Sequence, residues 1–61
     1  MILVIDVGNT NITCGVYKGK TLETTFRITS NNQRTSDEYG VLLTELLSKA
    51  EIETSQIDGV I

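Results

Sequence analysis

A chain of 61 residues buries only about 60% of the surface it exposes when unfolded, which leaves a domain of this size marginal and a self-contained enzyme improbable. Its 5 basic and 8 acidic residues, net charge −3, include no cluster of Lys and Arg able to neutralise a phosphate backbone, which argues against nucleic acid as a partner. The single Cys14 can neither staple the fold nor make a metal-ligand pair, and the opening apolar run is too short for a membrane span and lacks the features of a signal peptide, so the expected location is a reducing cytoplasm.

Residues 2–5 (Ile-Leu-Val-Ile) are apolar and mostly β-branched with no polar alternation, which predicts a strand buried on both faces. Gly8, Asn9, Thr10 and Asn11 are turn formers, and residues 12–17 read as a second strand. Lys18-Gly19-Lys20 makes a short polar break. Residues 21–29 then alternate, with Leu22, Thr24, Phe26 and Ile28 expected on one side of a third strand.

Residues 30–35 are too polar to extend the sheet and predict a surface connection. A helix follows. Thr35 or Ser36 can cap it, Glu38 completes a capping box with Thr35, and Asp37 and Glu38 suit the positive end of the helix dipole. Tyr39, Leu42, Leu43, Leu46, Leu47 and Ala50 recur at helical spacing and form one apolar stripe, enough to carry Gly40 in the helix interior. Residues 51–55 lose the pattern, and Ile57-Asp58-Gly59-Val60-Ile61 reads as a buried strand parallel to the first. The expected organisation is β-β-β-α-β, the start of a mixed sheet in a truncated α/β segment.

The chemistry concentrates in Asp6-Val7-Gly8-Asn9-Thr10-Asn11, at the end of the first strand. Backbone amides of a tight turn can converge on an anion, Gly8 lets a phosphate oxygen approach the backbone, and Asn9, Thr10 and Asn11 add side-chain donors. Asp6 can hold a magnesium ion through water. A bare D-x-G is otherwise a turn with a turn-satisfying aspartate; the flanking strands, the second of them carrying Gly15, give the longer string its specificity.

This layout resembles the first phosphate loop of the actin-like ATPase (ribonuclease H-like) fold, and Asp6-Val7-Gly8-Asn9-Thr10-Asn11 is similar to the opening motif of the type III pantothenate kinases within that superfamily. Phe26-Arg27-Ile28-Thr29 and the stretch Arg34-Thr35-Ser36-Asp37-Glu38-Tyr39-Gly40 extend the resemblance over nearly the whole chain. It implies that residues 1–61 are the N-terminal part of the first nucleotide-binding domain of a longer kinase. That kinase would phosphorylate pantothenate with ATP and magnesium, the first step of coenzyme A biosynthesis, as a cytoplasmic homodimer using potassium or ammonium. Asp6, Val7, Gly8, Asn9, Thr10, Asn11, Ile12 and Thr13 would contact ATP, with Asp6 also serving the metal, and the catalytic base would be an aspartate beyond these residues. A sugar kinase of the same superfamily and a non-catalytic regulatory relative remain open alternatives; residues 35–40 match the pantothenate enzymes better than sugar kinases.

Arg27 and Arg34 read as solvated or surface-paired side chains outside the site, Asp37 and Glu38 as capping residues, and Cys14 as a small buried filler. The segment by itself is expected to be inactive and poorly folded.

Overall fold

Apolar and β-branched side chains dominate residues 2–29, and in the computed structural model, which describes residues 1–61, that stretch folds into three consecutive antiparallel strands. These are β1 (Ile2–Val7), β2 (Asn11–Lys18) and β3 (Thr21–Thr29). The helix α1 (Ser36–Lys49) follows, then a single 3₁₀ turn at Thr54–Gln56 and the short strand β4 (Gly59–Val60). The sheet order is β3-β2-β1-β4, with β4 parallel to β1, so the molecule is α/β with a mixed sheet, as the sequence predicts. The parallel ladder continues past β4 through Ile61, whose amide donates to Leu3 and whose carbonyl accepts from Ile5.

Between β2 and β3 the turn centres on Gly19, the one glycine with positive φ, at +62°. A two-residue hairpin loop demands that region at its first position, and glycine enters it without a Cβ penalty.

Strand pairing sorts the side chains onto two faces. The register Leu3↔Val16, Ile5↔Cys14 and Cys14↔Phe26 places these residues on the face covered by α1, where Leu3, Cys14, Val16, Leu47 and Ile52 form the core. Val16 and Cys14 are 0% and 1% exposed. Burial pushes the Cys14 thiol above its ordinary pKa, consistent with an inert filler. The opposite face carries Ile2, Val4 and Tyr17, all half-buried, and no element lies over it. The expectation that β1 is buried on both faces is therefore corrected: the single helix covers one side, and on β1 only Leu3 is buried.

Leu22 requires a second correction. A bulge between Val16 and Tyr17 pairs Val16 with Thr24 but Tyr17 with Leu22, leaving Glu23 as the extra residue. Because an inserted residue reverses the alternation, Leu22 leaves the side of Thr24, Phe26 and Ile28. It joins the open face, where its Cδ1 lies 3.3 Å from the position a Cβ on Gly15 would take.

The helix begins as its sequence dictates. Thr35 Oγ1 accepts from the Glu38 amide at 3.2 Å and Glu38 Oε1 accepts from the Thr35 amide at 2.8 Å, a complete capping box. Hydrogen bonding of the Glu38 carboxylate to the Thr35 backbone amide first and to its side chain second, together with the nearby Arg34 charge, holds the Glu38 carboxyl below the usual glutamate range. At the other end Ile52 N–H donates to Leu47 C=O and Glu51 N–H to Ser48 C=O, both at 2.9 Å. That is a Schellman motif, and its hydrophobic clasp is the buried pair Leu47 and Ile52. Residues 51–55 thus hold a core residue and the start of the 3₁₀ turn, which the sequence pattern alone does not reveal.

Candidate functional site

The β1–β2 hairpin narrows at Val7↔Ile12 and closes with a Gly8 N–H bond to the Asn11 carbonyl at 2.9 Å. Asn9 and Thr10 form the tip, and neither backbone N–H donates to another backbone group. Gly8 is not left-handed; its need for glycine is steric, since a Cβ there would lie 2.9 Å from the Asn11 carbonyl oxygen. The Gly8 amide closes the hairpin, so the donors free for an anion are the amides of Asn9 and Thr10, with the exposed side chains of residues 9–11 around them. The Asn11 side chain leans on the tip through Nδ2 to Thr10 Oγ1 at 3.3 Å.

Residues 30–34 brace this tip from the side of β3. Ser30 donates twice, from its amide to Thr10 C=O and from its hydroxyl to Gly8 C=O, each at 2.9 Å. Asn31 is clamped by Tyr39 of α1, whose hydroxyl accepts from the Asn31 amide and donates to its carbonyl, both at 3.1 Å. Arg34 donates to Thr29 C=O at 3.1 Å while its guanidinium sits 5.4 Å from the centroid of the Tyr39 ring. A groove of ≈ 640 Å³ runs between hairpin and brace, with Asn9, Asn32 and Arg34 offering donors and Val7, Ile12 and Tyr39 supplying apolar wall.

The eight residues singled out from the sequence do not form one surface. Asp6 and Thr13 are cross-strand partners and alternate with Val7 and Ile12, so they point to the open face of the sheet. Val7 and Ile12 point to the helix side and line the groove, and residues 8–11 join the two across the tip. Arg27 pairs with Thr13 on β3, which sets Asp6, Thr13 and Arg27 in one row across three strands. Asp6 is exposed, and its carboxylate makes no hydrogen bond or ion pair within the chain. Its carboxylate is free to take a hydrated cation. No three acidic, His or Cys side chains come together as a metal cage.

The hairpin tip thus presents two amides that no backbone carbonyl pairs, while the Asp6 carboxylate lies on the open face of the sheet. The family model described as type III pantothenate kinase matches residues 2–61. The chain belongs to the type III pantothenate kinase family. It is 52% identical to the type III pantothenate kinase of Agathobacter rectalis, 51% to that of Exiguobacterium sibiricum and 52% to that of Syntrophotalea carbinolica, each over all 61 residues. The chain spans 24% of the length of these type III pantothenate kinases.

Within this member of the family, sequence reasoning missed the brace. Arg34, set aside as a surface side chain, lines the groove, and Ser30 and Tyr39 take part without having been considered for the site. The usable signal was the antiparallel register: pairing Asn11 with Thr29 puts Ser30 opposite Thr10.

Proposed function

We propose that this chain supplies the first phosphate-binding loop of an ATP-dependent kinase that phosphorylates the primary alcohol of pantothenate, the first step of coenzyme A biosynthesis. Residues 1–61 would be the N-terminal part of the first nucleotide-binding domain of that longer enzyme, in an actin-like ATPase (ribonuclease H-like) fold. The observation that carries the reading is identity of about half with type III pantothenate kinases along the entire chain. Its residues include the hairpin whose tip leaves the Asn9 and Thr10 amides unpaired.

In this reading residues 6–13 contact ATP. The free amides and the Asn9, Thr10 and Asn11 side chains bind phosphate oxygens, positioning the transferred group and stabilising the charge that develops on it. Asp6, at the end of β1, would hold a magnesium ion through water, and the ion would supply neutralisation of the phosphate charge. The general base is an aspartate outside these residues, so phosphate binding and positioning are this segment's part. The monovalent cation, potassium or ammonium, the homodimer and the cytoplasmic location belong to the same proposal. No helix of the chain is long and apolar enough to cross a membrane.

The test is ATP-dependent phosphorylation of pantothenate by the complete protein, with and without potassium or ammonium, beside Asp6→Ala. Cation-dependent transfer is expected, with kcat/KM reduced by about 100-fold or more in the variant. A folded complete protein that transfers nothing to pantothenate would rule the function out. Full activity in Asp6→Ala would remove Asp6 from the site.

A further inference from the structure

We infer that Ser30 is a positioning residue of the phosphate loop, holding the hairpin tip so that the Asn9 amide faces the bound anion; the inference rests on the nucleotide-binding reading above. Ser30 lies outside the motif, at the end of β3, yet it alone ties down both carbonyls that flank the tip, Gly8 C=O through its hydroxyl and Thr10 C=O through its amide. A trans peptide group is planar, with its C=O and N–H on opposite sides. Fixing the Gly8 carbonyl on the Ser30 side therefore turns the N–H of Asn9, the other half of the same peptide group, to the far side. That N–H donates to no backbone group.

Without the serine hydroxyl, the Gly8 carbonyl returns to water and the Gly8–Asn9 peptide group is free to rotate, so the donor is no longer set before ATP arrives. Preorganised donors act at no reorganisation cost when charge develops, and that advantage is what the hydroxyl secures. Ser30 itself is fixed from behind. The neighbouring Asn31 is held by Tyr39, and Arg34 is bonded to Thr29. The hydroxyl makes no other hydrogen bond, so its loss acts on the tip alone. A merely structural serine would instead lower stability and disturb both substrates alike.

The experiment compares the complete kinase with Ser30→Ala and Ser30→Thr, measuring KM for ATP and for pantothenate, kcat, and ATP binding by calorimetry. Ser30→Ala is expected to raise the ATP KM and Kd about tenfold with the pantothenate KM unchanged, and Ser30→Thr to restore ATP binding to within about twofold. An ATP Kd within about twofold of wild type in Ser30→Ala, an equal rise in both KM values, or failure of Ser30→Thr to rescue would overturn the role. Should Ser30→Ala not fold, Ser30→Cys replaces it, since a thiol is a weak donor; unchanged ATP binding there would also overturn the role. ATP binding without transfer to pantothenate would refute the acceptor and leave Ser30 to be decided by calorimetry. Failure of wild type to bind ATP would refute both.

Discussion

Glu51 closes α1 with its backbone in the left-handed region, φ 62°, the only residue other than glycine to do so. The Schellman geometry demands that conformation of the residue after the C-cap, and an L side chain occupies it at a cost of roughly 1–2 kcal/mol that glycine does not incur. Glu51→Gly should therefore strengthen the end of α1 by about 1 kcal/mol. Amide exchange at Ile52 and Ala50 in the complete protein reads this directly, with about fivefold slower exchange expected in the variant; unchanged or faster exchange would count against the strain. Nothing in the residue string announces the feature, because glutamate gives no left-handed signal. The clasp of Leu47 with Ile52 makes it necessary, and that contact exists only once the helix is packed.

The start of α1 is the opposite case, an element written out in its own sequence. Thr35 and Glu38 form the capping box, and of the apolar stripe Leu47 is buried while Tyr39, Leu42, Leu43, Leu46 and Ala50 are half-buried, on the side their spacing predicts. Glu38 carries a pH dependence with a definite sign. Its folded pKa is lowered, so its charge adds stability that is full above the unfolded glutamate pKa of about 4.3 and is lost as pH falls through the lower folded value. Glu38→Gln keeps an acceptor at this position but not the charge. The variant should melt below wild type near neutral pH, and the two melting temperatures should converge as the acid range is entered. A constant gap across that range would show that charge plays no part. Strand and helix positions were legible because periodicity and turn residues are local. The open face of the sheet, the bulge at Val16 and Tyr17 and the reach of Ser30 to the tip were not, because each depends on what pairs across strands. The Asp6–Asn11 motif was readable as a string, but the division of residues 6–13 between two faces of the sheet follows only from the Asp6↔Thr13 and Val7↔Ile12 register.

At the scale of the whole molecule the limiting quantity is the core. Only 6 of 61 residues are buried, on one side of the sheet, while Ile2, Val4, Tyr17 and Leu22 sit on a face with no covering layer. Against the conformational entropy of ordering every residue, so thin a core leaves no margin. Residues 1–61 alone are expected to unfold gradually on heating; a sharp calorimetric transition with matching van't Hoff enthalpy would contradict this. The bulge that brings Leu22 to the open face also bears on how chain length can vary. Glu23 is the residue without a cross-strand partner, so deleting it would restore a regular ladder with Tyr17 still opposite Leu22 and Val16 still opposite Thr24. A deletion between Glu23 and Ser30 would instead reverse every side chain between the cut and the bulge, or drag Ser30 away from Thr10. A length change at Glu23 would thus be absorbed near the Gly19 end of the β2–β3 hairpin, a full strand away from the Gly8–Asn11 tip, and would leave that tip's geometry in place.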